Sequence, residues 1–220
     1  MAITPNSRSM SRATDGAQSP LARLAGPIAL AAGALMTVQQ LVMFPIVDRT
    51  HLIATMAHPL FVPSAIAYVV AFCGLLLTLV AVYVWQANRA GIFGVIGFVA
   101  ALVGTLFLAG DAWFEAFAVP WLADVTPEAL KLPVPFGLLM IGAFTSYVLF
   151  ASGWVLFALA SLRACAFPAA ISVAILIGGV VGFYALVPPF AVPLGLAIAW
   201  LGVWMLRATA ASELSQLAMR

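Results

Sequence analysis

Six stretches of this chain run for about 18–26 residues without a single Asp, Glu, Lys, Arg or His, and no other feature limits its folding as strongly. They are Gly26–Pro45, Val62–Trp85, Gly91–Ala109, Pro135–Ala160, Phe167–Leu186 and Pro189–Leu206. Each is long enough to cross a hydrocarbon core of about 30 Å as a helix, the longest with some tilt. Lipid cannot satisfy backbone N–H and C=O groups, so a spanning segment must be a helix or part of a closed barrel. Barrel strands alternate polar and apolar residues, and these runs do not. Charged residues make up 7% of the sequence, against about a quarter in soluble domains. The expected fold class is therefore all-α: a polytopic membrane protein, six transmembrane helices in an up-down bundle.

The connections carry the orientation. Arg8, Arg12, Arg23, Arg89, Arg163, Arg207 and Arg220 fall on one side of such a bundle, and Arg49 and Lys131 on the other. Basic residues are retained in the cytoplasm, which places both termini there and points to the plasma (inner) membrane of a bacterial-type cell. Asp48, Asp111, Glu115, Asp124 and Glu128 then lie outside. The long outer connections are 46–61 and 111–134. The inner ones, 86–90 and 163–166, are short enough to make successive helices antiparallel neighbours. Residues 1–20, rich in Ser, Thr, Ala, Gly and Pro, have nothing to bury and read as a disordered cytoplasmic tail. The transmembrane domain is expected over 21–207, followed by a short cytoplasmic tail over 208–220. The first apolar run continues through Gln39 and Gln40 to Pro45. That exceeds the usual signal-peptide core of about 7–15 residues, so it reads as a retained span.

Helix association inside lipid depends on small residues and interhelical hydrogen bonds. Gly91, Gly94, Gly97 and Gly104 fall roughly along one face of the third run, and Gly178 and Gly182 are four apart in the fifth. Trp113 and Trp121 suit the outer interface; Trp85, Trp154 and Trp204 suit the inner half. Tyr68-Val69, Cys73-Gly74, Leu77 and Ala81 return as Tyr147-Val148, Ser152-Gly153, Leu156 and Ala160. Three helical hairpins from an old duplication is one reading; the favoured one is that a composition this narrow produces such matches by chance. Cys73 and Cys165 belong at different depths and are not expected to pair.

Chemistry is expected at the outer surface. The spans contain no charged residue, which argues against a proton-coupled carrier with a carboxylate at the midplane. Thr105 and Thr145-Ser146-Tyr147 read as packing contacts or as the lining of a polar pocket. In 46–60, Asp48, His51, Thr55 and His58 recur at spacings of three, four and three, the polar stripe of an amphipathic interfacial helix. Asp111 and Glu115, four apart, share a face at the outer rim. Asp48, His51, His58, Asp111 and Glu115 are thus the candidate ligand-binding residues. Two imidazoles with carboxylates suit a divalent transition metal or a pH-responsive contact. Histidines seven apart on a straight helix, however, stand about 10 Å apart, too far to share one ion without a bend near Pro59. No metal site or cofactor is assigned, and a haem is disfavoured because both histidines lie outside the apolar core.

No His-Glu-x-x-His, Gly-x-Ser-x-Gly or phosphate-binding glycine loop is present, so no catalytic residue is assigned. The expected function is small-solute or ion transport or binding through a polar extracytoplasmic mouth. The alternative is a non-catalytic accessory or sensory subunit. The expected partner is the lipid bilayer, with a protein partner or second copy left open; so few charges give no case for nucleic acid.

Overall fold

A computed structural model describes residues 20–48, 51–130 and 137–218. Within them the secondary structure is helical, with no strand. The elements are α1 (Pro20–Met43), a short α2 (Leu52–Met56), α3 (Phe61–Trp113), a π-helical turn (Phe114–Ala118) and α4 (Val119–Val125). A 3-10 turn (Pro127–Leu130) follows, then α5 (Leu138–Ala164), α6 (Ala169–Val181), a second 3-10 turn (Gly182–Tyr184) and α7 (Val192–Ala218). Residues 1–19, 49–50, 131–136 and 219–220 lie outside the described residues. They include most of the expected N-terminal tail and both basic residues assigned to the outer side.

α3 is two rods rather than one. Gly91 has φ 55° and ψ −155°, a conformation essentially confined to glycine. Tyr83 and Phe98 stack across it with ring centroids 4.2 Å apart; on a straight helix they would be separated by about 22 Å. The chain therefore reverses at Gly91, and arms 61–90 and 92–113 form an antiparallel hairpin. With α1, α5, α6 and α7 these arms make six rods, matching the six apolar runs. By length and hydropathy, Leu24–Met43, the segment Phe61–Val125, Leu138–Ala164 and Val192–Ala211 can each cross a membrane. Many large apolar side chains point outward, among them Ile92, Leu106, Leu138 and Leu139. Water would not tolerate so wide an apolar surface; lipid does.

Phe72, Leu75 and Leu79 on the first arm are fully buried, with Phe150 and Trp154 of α5 and Leu194 and Ile198 of α7 packed into the same core. Close backbone approach sets the neighbours. A Cβ on Gly153 of α5 would lie 2.5 Å from the Cα of Ala101, and Gly97 and Gly104 abut Leu156 and Leu149 in the antiparallel sense. On the opposite flank, Gly26 and Gly33 of α1 meet Gly202 and Gly195 of α7. The Gly97 and Gly104 face anticipated from sequence is therefore a helix contact, whereas Gly91 is the turn. Trp154, expected toward the inner interface, is instead buried in the core and donates to Thr105 Oγ1 at 3.1 Å. Thr145 and Ser146 bond carbonyls of their own turn.

Several boundaries differ from the sequence reading. The third run was expected to end at Ala109, with 111–134 as a loop, yet the helix continues to Val125. Gly110 remains helical, and the helix passes Pro120 by way of the π turn at 114–118. Pro120 has no N–H to give the carbonyl four residues back, and the wider turn leaves room for its ring. The fifth run was expected to span over 167–186, but the helical stretch is Ala169–Tyr184, a rise of about 24 Å. Pro168 stands at its N-cap and Gly182 departs from the α conformation. The sixth helix continues to Ala218, past the expected domain edge at 207.

Charges separate between the two ends. Arg89, Arg163 and Arg207 are exposed at the end holding the Gly91 turn, where Arg163 lies 5.3 Å from the Phe93 ring and Trp85 meets Trp204. Asp48, Asp111, Glu115, Asp124 and Glu128 belong to the opposite end.

Candidate functional site

The acidic end is built around a piece of backbone that is not helical. Residues 185–191 connect the short fifth rod to α7 within the bundle, and Ala185 and Ala191 are fully buried. Irregular backbone at this depth persists only when protein satisfies its polar groups. Gln40 does most of this. Its Nε2 donates to the Ala185 carbonyl at 2.9 Å and its Oε1 accepts from the Ala191 N–H at 3.4 Å. The Tyr68 hydroxyl donates to the same Ala185 carbonyl at 2.6 Å. One α1 amide and one α3 phenol thus hold the α6–α7 connection in place.

The consequence of removing them differs. Tyr68→Phe leaves the Ala185 carbonyl bonded to Gln40, so the loss is one net hydrogen bond, about 1 kcal/mol. Gln40→Leu strands the buried Ala191 N–H, which costs about 1–3 kcal/mol. Unfolding of the detergent-solubilised variants should rank Gln40→Leu below Tyr68→Phe; the reverse order would show that the amide is not the principal support.

Next to this network lies a cavity of about 310 Å³. Its walls are mostly apolar: Met43 at the end of α1, Val47 after it, Met56 of α2, Ala65 of the first arm, Val119 of α4 and Val187 before α7. Gln39, Thr55, Tyr68 and Glu115 supply its polar atoms. Gln39 is 8% exposed, and its Oε1 has no hydrogen-bond partner among the described residues. Tyr68 has committed its hydrogen to Ala185 and presents lone pairs only. Thr55 is saturated: its Oγ1 accepts from the Asp48 N–H at 2.9 Å and donates to the Asp48 carbonyl at 3.2 Å. That clasp ties Asp48 to Thr55 at the cavity wall.

Glu115 reaches the cavity from the π-helical turn. An α-helix crowded by Pro120 would not place that residue in the same register, and π turns recur where a helix must re-aim a functional side chain. Tyr68 and Glu115 are far apart along the chain and would be about 70 Å apart on one straight helix. The hairpin at Gly91 brings them to one cavity. Asp111, one turn earlier, is close enough to Glu115 for their charges to repel, and the Ser146 hydroxyl approaches it. Asp111 Oδ2 is buried with no partner among the described residues.

The five residues singled out from sequence separate into two groups. Glu115 lines the cavity and Asp111 stands beside it. Asp48 and His51 pair with each other instead, Nδ1 to Oδ2 at 3.0 Å, both largely exposed. His58 Nδ1 accepts from the Leu60 N–H at 3.2 Å. Neither histidine lines the cavity. The expected amphipathic helix over 46–60 is corrected: among the described residues of that range only Leu52–Met56 is helical, with His51 as its N-cap and His58 in the turn after it. Pro45 and Pro59 bracket the segment, and the Thr55–Asp48 clasp gives its backbone partners that a helix would otherwise supply. Among the described residues no three of His, Cys, Asp and Glu converge as they would around a metal ion.

Sequence reasoning passed over Gln39, Gln40 and Tyr68. The signal was present: two adjacent amides inside an otherwise apolar run are costly in lipid unless another helix satisfies them. No known protein family, no curated protein and no solved structure matches this chain.

Proposed function

We propose that this protein crosses a bacterial-type plasma membrane six times, with both termini cytoplasmic, and that it binds a small, mainly apolar solute from the outer side for transport. The observation that carries the reading is the cavity of about 310 Å³ at the acidic end. Its size lies at the lower limit of small-molecule sites, and its make-up, apolar walls with a few placed polar atoms, is the usual one. Support for the orientation comes from the exposed arginines at the opposite end, since cytoplasmic turns retain basic residues. Support for six crossings comes from the reversal at Gly91, which makes two rods of one long helix.

Binding is tested with 2,2-dimethylpropylbenzene, a neutral apolar probe, on protein in zwitterionic nanodiscs, with empty nanodiscs subtracted. Saturable binding is expected, and Ala65→Phe, which places a ring in the cavity from the first arm, should remove it. Uptake with no saturable component, unchanged by Ala65→Phe, would sink the assignment. Orientation is tested separately with single cysteines at Arg89 and Asp124 after replacement of Cys73 and Cys165. An impermeant thiol reagent should label Asp124→Cys from outside intact cells and leave Arg89→Cys untouched.

A further inference from the structure

We infer that the ligand of this cavity is a small organic monocation, an ammonium group carried on an apolar body. The inference rests on the solute-binding reading above and narrows it to a charge class.

Three features of the lining converge on that choice. The first is sign. Glu115 is the one charged residue among those lining the cavity, and it forms no ion pair or hydrogen bond among the described residues. Asp111 stands beside it and adds negative charge. Glu115 is an exposed side chain on the cavity wall, and a carboxylate bordering apolar walls favours a cation over a neutral or anionic guest. Among the described residues that line the cavity there is no cation.

The second is hydrogen-bonding character. Gln39 Oε1 is buried without a partner, the Tyr68 hydroxyl hydrogen is taken by Ala185, and the Thr55 hydroxyl is engaged in both directions by Asp48. The Gln39 amide leaves a guest an unpartnered carbonyl oxygen beside its N–H groups, and the Tyr68 hydroxyl leaves lone pairs. An anionic guest would meet the Glu115 carboxylate on the wall, with Asp111 beside it. A cationic guest would find its counter-charge and a lone pair.

The third is the remaining wall. The rings of Phe61 and Tyr68 and the thioethers of Met43 and Met56 line the cavity. Aromatic faces attract alkylated ammonium groups, and methionine adapts its shape to an irregular apolar body. A bare metal ion would gain little here, because it needs several oxygen or nitrogen ligands at fixed geometry. An organic cation keeps its charge diffuse and its surface apolar, matching one carboxylate in an apolar chamber.

The experiment compares two probes of nearly equal shape, benzyltrimethylammonium and its neutral isostere 2,2-dimethylpropylbenzene, on the full chain in zwitterionic nanodiscs. It is run at about pH 8, where ordinary carboxylates are ionised. The cation should bind about tenfold or more tightly than the isostere, the scale of one desolvated charge pair. Glu115→Gln should abolish that preference, the cation then binding no more tightly than its isostere. Phenylmethanesulfonate, the anionic analogue, should not compete. Equal binding of cation and isostere by the unaltered protein would overturn this inference and leave the cavity assignment intact. Absence of saturable binding by either probe would overturn both. The comparison on the unaltered chain decides the matter even where Glu115→Gln fails to fold, and a preference that survives in Glu115→Gln would locate the counter-charge elsewhere and refute the role given to this residue.

Discussion

Gly153→Val should be among the most damaging single substitutions in the molecule, lowering stability in detergent by about 3 kcal/mol, the upper end of what overpacking costs. A Cβ at Gly153 would stand 2.5 Å from both N and Cα of Ala101 and 2.6 Å from the carbonyl carbon of Ala100. These are backbone atoms of the second arm of α3, so no rotamer change relieves the collision; the two helices must separate. Separation exposes Trp154 and weakens its hydrogen bond to Thr105, a polar pair with no alternative partner at that depth. Gly104→Val should behave alike, because Leu149 and Phe150 backbone atoms crowd it from the other side. Gly142→Ala and Gly110→Ala are the controls. An added Cβ meets nothing within 4 Å at either position, so each should be neutral or slightly stabilising, as glycine removal from a helix usually is. Thermal unfolding of the four variants reads the contrast, and equal losses would remove the case for close α3–α5 contact.

Gly91→Val should be nearly as harmful for an unrelated reason. Space is not limiting there, since nothing lies within 4 Å of the added Cβ. The cost is in the backbone: φ 55° with ψ −155° is a conformation that β-branched residues avoid, at about 1–3 kcal/mol. The chain would relax toward helical angles, which straighten the two arms and pull Tyr83 off Phe98. A pair of spin labels at Val84 and Val99, both exposed, should report a short distance in the parent and a longer, broader distribution in the variant. Unchanged distances would show that the hairpin does not depend on this residue. Because Tyr68 and Glu115 meet only through the hairpin, the same variant should also lose the saturable binding expected of the cavity.

The number and helical nature of the rods were legible in the sequence because charge is so costly in lipid that its absence marks each rod. Their ends were less so. After Ala109 the acids Asp111 and Glu115 alternate with apolar Ala112, Trp113 and Phe114, and hydropathy cannot tell a helix that continues from a chain that leaves the membrane. Gly91 was visible as one of four small residues with helical spacing; its positive φ was not, because neighbouring glycines at 94, 97 and 104 obey the packing rule it breaks. Asp111 and Glu115 were found because two acids four apart interrupt an apolar stretch. Their separation from His51 and His58 was not, because the stripe over 46–60 presumed a helix that the Thr55–Asp48 clasp replaces. The cavity itself was out of reach. Its walls come from six separated segments, and only the reversal at Gly91 and the placement of 185–191 by Gln40 and Tyr68 bring them together.

The glycine contacts between α1 and α7 have a consequence for biogenesis. α1 precedes the other five rods along the chain, yet one of its principal neighbours is α7, so part of its small-residue face stays open while the rods between them are made. Docking of α7 then closes the bundle onto α1, whose other neighbour, the first arm of α3, is already in place at Ala32 and Gly74, and a polypeptide cut short before Val192 would leave the Gly26 and Gly33 face of α1 uncovered.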